Sequence, residues 1–505
     1  MSEGQTPRAR IRRLNDAAIR SDGRYVLYWM IATRRRGWSY GLGRAAEVAA
    51  ELDRPILVLE PLRIAYPHAS ERLHSFVIDG MADNIDAFDD GRATYYPYVE
   101  PGHGDGSGLL ETLSAEACAV VTDDFPAFFL PRMTEAAARR LDVPLESVDS
   151  NGLLPMRASG REWKTAYSFR RYVQQELPAL LDEAPPRDPL ASLPRRSPIE
   201  LSEEIRSRWP DARDRFGEAD PMRGLDLDSD VPPVSTPGGA AAGAATLDRF
   251  VARGLAAYED RNHPDADAGS GLSPYLHFGH VSPHQVFEAV RDAEEWEPWR
   301  LADTADGKRS GWWGMSDAAE GFLDQIVTWR ELGYQCAAYY GADYDSYDTV
   351  PEWARDTLAE HESDARPHTY TLEELETGRT SDDVWNAAQN QLRREGRIHN
   401  YMRMVWGKRM LEWTATPREA FERLVHLNDR WAIDGRDPNS YTGIGWVFGR
   451  HDRAWGPERP IFGKVRYMSS ANTKRKLRVG EYLERYAGRA SLFGEDSDRS
   501  GGSTG

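Results

Sequence analysis

At 505 residues and 57.0 kDa the chain is long enough for two or three domains and a large buried core, which excludes a peptide or a small binding module. No run approaches the roughly 20 apolar residues of a membrane span, and the N-terminus lacks the apolar stretch of a secretion signal, so an unexported cytoplasmic monomer with no membrane partner is expected. The net charge of −18 argues against nucleic acid until its distribution is counted: residues 391–490 carry 21 Lys and Arg against 11 Asp and Glu, a net +10, which leaves −28 on the other 405.

Residues 1–20 are polar and basic and are expected to be a flexible N-terminus. "RYVLYWMI" (24–31) and "RPILVLEP" (54–61) are continuous apolar runs of the kind that form buried parallel strands, separated by the helical "GRAAEVAAELD". "ACAVVTDDF" (117–125) predicts another strand, followed by the helical "MTEAAARRLD" and a short strand near "LESVDS". Residues 21–183 therefore read as a Rossmann-like α/β domain. "GLGRAA" (41–46) matches a dinucleotide fingerprint and Glu60 stands where a ribose-binding acid would, but Gly41 lies well beyond the strand rather than in a tight turn after it, so no dinucleotide is expected there.

Residues 184–245 are rich in Pro, Gly and Ala and read as a connector with a short helix inside it; 246–490 carry helical patterns almost throughout and predict an all-α domain; 491–505 have the composition of a disordered tail. Cys118 and Cys336 make neither a disulfide framework nor a zinc site, which suits a reducing compartment. His277, His280 and His284 suggest a metal cluster, but Gly279 and Pro283 interrupt any helix that could aim all three at one ion, so they are expected to be structural. The small residues and hydroxyls of "GSGLSPYLHFGHVSPHQV" (269–286) suit close approach to a diphosphate, and equally suit an ordinary capping loop.

"DVWNAAQNQLRREGRIHNYMRMVWGKRMLEW" (383–413) predicts two helices, with Trp385 near the start of the first and Trp406 and Trp413 two turns apart on the second. Indole is the side chain most easily oxidised by one electron without a metal, so a row of tryptophans can carry a hole from a buried redox centre to the surface. The competing explanation is an aromatic core.

The segments "SPYLHFG", "WRELG", "WNAAQ", "YMRM", "LEW", "LNDRWAIDGRDPN", "HDRAW" and "RPIFGKVRYM", dense from about 255 to 480, resemble the class II cyclobutane pyrimidine dimer photolyases of the cryptochrome/photolyase superfamily. "YWM" and "REWKTAYSFRRY" extend the likeness loosely into the α/β half, where "RGWSYGLGRA" departs from the family's pattern and leaves open whether an antenna chromophore is bound.

The resemblance implies an antenna-type α/β domain and an all-α domain that binds FAD, active when reduced, and UV-damaged DNA whose dimer is flipped out for light-driven splitting. It further implies FAD contacts at Tyr258, Ser270, Gly271, Leu272 and Ser273, Asn428 facing the flavin, and an Arg403–Asp434 ion pair beside it. Trp329, Trp446 and Met404 match the dimer pocket, Arg453 and Trp455 the residues that fill the hole in the duplex, and Lys474, Arg475 and Lys476 a phosphate-contacting run. Trp406, Trp385 and Trp413, in that order outward, match a photoreduction chain with Tyr370 as its auxiliary tyrosine. Gln325 stands where the family usually has a dimer-binding glutamate; it can donate a hydrogen bond but no proton, so binding with a lowered repair yield is expected unless the adjacent Asp324 substitutes. Two further readings remain, a cryptochrome-like photoreceptor and a DNA-binding protein without flavin.

Overall fold

The computed structural model describes residues 5–487. Strands β2 (Tyr25–Trp29), β3 (Ile56–Leu62), β4 (Thr94–Val99), β5 (Ala117–Asp123) and β6 (Leu145–Val148) are parallel, and β1 (Ile11–Arg13) joins one edge antiparallel, in the order β1-β6-β5-β2-β3-β4. All residues of β2 and β5 are buried, which is why they read as unbroken apolar runs rather than alternating ones. From β2 the chain winds outward through β3 and β4, then crosses back to β5, so a topological switch point lies at the carboxyl ends of β2 and β5.

The structure adds to the sequence reading in three places. The segment expected to be a flexible N-terminus contains β1, whose residues Ile11 to Arg13 pair with Val148 to Glu146. β4 gave no clear signal because Pro97 interrupts it; the strand tolerates a proline because it sits at the sheet's edge. The connector holds more structure than the one short helix expected. It carries two short helices, Glu203–Arg208 and Arg213–Phe216, buries Trp209 and Ile205 in the core of the sheet, and ends where the helix Ala240–Arg249 begins inside the Ala-rich stretch. The predicted disordered tail lies outside the described residues.

From Ala240 onward the described residues form helices, 3₁₀ turns and two π-helical turns, Phe250–Gly254 and Asp324–Trp329. Buried polar contacts lock this part onto the sheet domain. The Glu331 carboxyl accepts from the backbone N–H groups of Leu153 (2.7 Å) and Leu154 (3.0 Å), and burial pushes it up to about 7. Arg72 donates to the carbonyls of Trp431 (2.5 Å) and Arg393 (2.6 Å).

Candidate functional site

At the switch point, where an open α/β sheet ordinarily binds its ligand, the backbone N–H groups of Ile31, Ala32 and Thr33 converge on Asp123 Oδ2 at 2.8–2.9 Å. A carboxylate of the chain itself thus fills the anion nest. Gly41 and Gly43 lie inside the helix Tyr40–Leu52 rather than in a phosphate loop, and a Cβ on Gly41 would stand 3.0 Å from the Tyr28 hydroxyl. Glu60 is likewise engaged by Arg34 (2.8 Å), Asn84 (2.8 Å) and Tyr95 (2.7 Å). Beside this point a cavity of about 100 Å³ opens between the domains, lined by Tyr66, Phe125, Phe128, His277 and Arg436 among others.

The three histidines face different partners: His277 Nδ1 lies 3.5 Å from Asp437, His280 Nδ1 accepts from Gly239 N–H at 3.0 Å, and His284 Nε2 lies 3.4 Å from the Tyr40 hydroxyl. Burial pushes His280 down to about 3, so it is neutral near pH 7.

The helix Asn400–Trp413 is the hub of the helical half. It touches the Leu255–Asn262 segment that bears Tyr258, the helix Asp383–Glu395, the helix Pro417–Trp431 and the helix Pro438–Val447. The second of these begins at an Asp382 N-cap and ends at Gly396, held in the left-handed conformation that favours glycine (φ 68°). This places Trp385 in the first turn, one turn before Gln389.

The tryptophans form one chain in space. Trp385 and Trp406 stack with ring centres 6.3 Å apart, Trp385 and Trp413 meet edge-on at 5.4 Å, and Tyr370 meets Trp413 at 5.0 Å. Trp385 from the neighbouring helix therefore fills the two-turn gap between Trp406 and Trp413. Its indole N–H donates to the Trp406 carbonyl and that of Trp406 to Gln389 Oε1, both at 3.0 Å. All three rings are at most 2% exposed. Tyr370 is half-buried and its hydroxyl lies 2.9 Å from Ser381 Oγ. The Arg409 guanidinium sits 4.9 Å from the Trp413 ring centre and pairs with Asp382 at 2.9 Å.

Three residues before Trp406, Arg403 Nη1 donates to Asn428 Oδ1 (3.2 Å) and Ser440 Oγ (3.3 Å). Arg403 Nη2 stands 3.6 Å from Asp434 Oδ1, an oxygen that is buried yet accepts no hydrogen bond from the described residues. Asn428 is buried and anchored through Nδ2 to the Gly435 carbonyl at 2.6 Å; a Cβ on Gly435 would come within 2.4 Å of the Asn428 carbonyl oxygen, so only glycine permits this approach. Next to it Asp429 is pushed up to about 7 by burial, against the pull of Arg436 and the Tyr441 hydroxyl.

Trp329 and Trp446 stack at 4.8 Å and 23°, each partly exposed. Trp329 ends the π-helical turn that Asp324 and Gln325 begin, and Gln325 and Met404 are partly exposed like the two rings. Asp324 is engaged within the chain: both its oxygens are held by Arg170, Nε at 2.7 Å and Nη2 at 3.2 Å. The helices bearing Trp406 and Trp446 cross in close contact, where a Cβ on Gly407 would meet Val447 Cγ2 at 2.4 Å and buried Lys408 donates to the Val447 carbonyl. Burial lowers Lys408 to about 7.

Tyr258 and Leu272 belong to the same apolar cluster, against which Trp329 packs, whereas Met404 packs against the cluster that holds the three buried tryptophans. Burial pushes the Tyr258 hydroxyl up to about 12, and Arg261 covers its ring at 4.6 Å. Gly271 has φ 71°, and Ser270 Oγ accepts from Leu272 N–H at 3.3 Å, which turns the chain into the short helix starting at Ser273. Trp455, 36% exposed, has the Arg453 guanidinium over its ring at 4.6 Å and that of Arg466 at 5.2 Å.

The basic run sits elsewhere. Lys474 donates to Asp383 at 2.5 Å, beside the start of the Trp385 helix, and Arg475 to Asn472 at 2.8 Å, while Lys476 is exposed. Of the residues that complete this arrangement, Gln389 was within reach of sequence reasoning, because i to i+4 puts it on the face of Trp385. Ser440 carried no local signal, and Arg170 stood only inside the loosely matched "REWKTAYSFRRY".

Among curated proteins the chain is 34% identical to the deoxyribodipyrimidine photo-lyase of Methanothermobacter thermautotrophicus over 95% of its own length and 98% of that protein's. Three further relatives of the same name are 31–33% identical over 91–92% of this chain. Among solved structures it is similar to a class III photolyase from Agrobacterium tumefaciens (TM-score 0.61, 18% identity, 93% of this chain and 86% of that one). It is also similar to a cryptochrome from Synechocystis sp. PCC6803 (TM-score 0.63, 15% identity, 92% and 88%). No family model matches.

Proposed function

The chain belongs to the deoxyribodipyrimidine photo-lyase family, and from that premise we propose that it is a class II enzyme that repairs cyclobutane pyrimidine dimers in DNA by light, with reduced FAD as its cofactor. The observation that carries the reading is the unbroken aromatic chain Trp406–Trp385–Trp413–Tyr370, which starts three residues from the Arg403, Asn428 and Asp434 group.

That group suits a flavin. The buried, unbonded Asp434 Oδ1 calls for a donor, the partly exposed Arg403 offers a cation, and the Asn428 amide is fixed by Gly435 so that its direction is set beforehand. In this reading Arg403, Asp434 and Asn428 hold the ring system, and the Ser270–Ser273 loop and Tyr258 hold the phosphate and ribose end. When bound and reduced, FAD supplies the light-excited electron. Trp406, Trp385 and Trp413, whose rings exclude water, would relay an electron inward from an external reductant to restore that reduced state. Trp329 and Trp446 offer flat apolar surface to the flipped-out dimer, Met404 floors the pocket, and Gln325 donates an amide hydrogen bond to the dimer. Arg453 and Trp455 occupy the space vacated in the duplex. An antenna chromophore, if carried, is assigned to the switch-point cavity; its aromatic lining suits a flat ring, but at about 100 Å³ the side chains must move to admit one.

Gln325 favours a second reading, a flavin photoreceptor that is photoreduced without repairing DNA. One experiment separates the readings: the absorption spectrum of the purified protein, followed by illumination with a dimer-containing oligonucleotide and assay of recovered thymines. Repair sustains the proposal, a yellow protein without repair leaves the photoreceptor, and a colourless protein sinks both.

A further inference from the structure

Asp324 and Gln325 are neighbours on one π-helical turn, so their side chains leave its axis in different directions. The turn is wider than an α-helical one and so departs from the hydrogen-bond pattern that keeps an ordinary helix rigid. What holds it is a side chain 154 residues earlier. From the helix Ala166–Glu176, Arg170 grips both Asp324 oxygens in a planar fork, and its remaining nitrogen donates to the Gly307 carbonyl at 3.3 Å. One turn along the same helix, Gln174 accepts from Gly307 N–H at 2.7 Å and donates to the Lys308 carbonyl at 3.0 Å. Arg170 is 8% and Asp324 5% exposed, so water cannot readily replace either partner.

We infer that the Arg170–Asp324 ion pair is a positioning device that sets the π-helical turn, and with it Gln325 and Trp329, at the geometry in which a dimer is bound. The inference rests on the reading of Trp329 and Trp446 as pocket walls. A fork of two parallel hydrogen bonds fixes direction as well as distance, which a lysine or a lone hydrogen bond would not. A buried pair of this kind adds little net stability over apolar residues of similar volume, so its effect on position can be separated from its effect on folding.

The test compares wild type, Arg170→Met and the apolar pair Arg170→Met/Asp324→Leu, each as flavin-loaded full-length protein. Arg170→Met leaves an unpaired buried carboxylate and is expected to be destabilised, while the double variant should regain its melting temperature, flavin spectrum and rate of photoreduction. The double variant should nonetheless bind a dimer-containing duplex in the dark about tenfold or more weakly, with repair per absorbed photon reduced. A stable double variant that binds and repairs like wild type overturns the inference and leaves the pocket reading intact. Wild type that binds dimer-containing DNA no better than undamaged DNA overturns the pocket reading and the inference together.

Discussion

Trp385, Trp406 and Trp413 are at most 2% exposed and two of their indole N–H groups are bound within the chain, whereas Trp329 and Trp446 stack on each other partly open to solvent. The first set is part of the core of the helical half, packed with Leu392, Val405 and Leu411. Packing and electron transfer are therefore not rival explanations of these residues. An indole buried among fixed neighbours has no water to rearrange around it when its charge changes. In the proposed function the second set forgoes burial so that a ligand's faces can replace water, and its cost falls on stability while its benefit falls on binding.

The largest expected effect lies in the buried set. Trp406→Phe should abolish steady-state photoreduction of the flavin, because the ring beside the proposed cofactor site is then much harder to oxidise, while dimer repair by chemically reduced protein survives. The substitution also strands the Gln389 amide, so a melting temperature lower by the equivalent of about 1–3 kcal/mol is expected. Loss of photoreduction and repair together would return these tryptophans to packing alone.

Trp329→Ala should do the reverse. Loss of one stacking face is worth about 1–3 kcal/mol of binding, roughly five- to 150-fold, and should appear in the dissociation constant for dimer-containing DNA. Photoreduction should be unchanged, and stability should move little because the ring is only partly buried. A variant that melts much earlier yet binds normally would erase the distinction between the two sets.

Gln325→Glu sharpens the pocket side further. An amide donates a hydrogen bond at any pH but delivers no proton. Asp324, the adjacent acid, is held by Arg170. The variant should raise the repair yield of a defined dimer a few-fold without altering photoreduction. Repair no faster than wild type would show that the glutamine is no handicap.

How much of this was legible in the sequence follows the same division. β2, β3 and β5 were readable because strands buried on both faces are continuous apolar runs; β1 was not, being three residues long with Arg12 and Arg13 exposed. The connector's short helix was legible but its packing on the sheet was not, because its composition is that of a linker and a few residues such as Trp209 decide the contact. Trp406 and Trp413 announced a shared helix face by spacing, but the placing of Trp385 between them depends on how two helices pack, which no local pattern encodes. The Arg170–Asp324 pair and the Asp123 carboxylate in the backbone nest are long-range contacts that no local pattern encodes, although Asp324 itself stood out beside Gln325.

The smallest effect concerns charge on the surface. The sequence offered Lys474, Arg475 and Lys476 as a phosphate-contacting run, yet Lys474 is paired with Asp383 at the foot of the Trp385 helix, on the buried-chain side, whereas Arg453 lies over exposed Trp455 beyond the helix that carries Trp446. Each phosphate neutralised contributes about 0.9 to the slope of log binding constant against log salt for duplex DNA. Arg453→Ala should reduce that slope by up to about 0.9. Lys474→Ala should reduce it by only a fraction of this, because a phosphate must first displace Asp383 from an exposed pair that is itself worth little. The check is a salt titration of duplex binding for both variants. Equal losses of slope would mean that DNA covers the foot of the Trp385 helix as fully as the pocket, and that the division drawn here between a dry relay and a wet binding face stops beneath the surface.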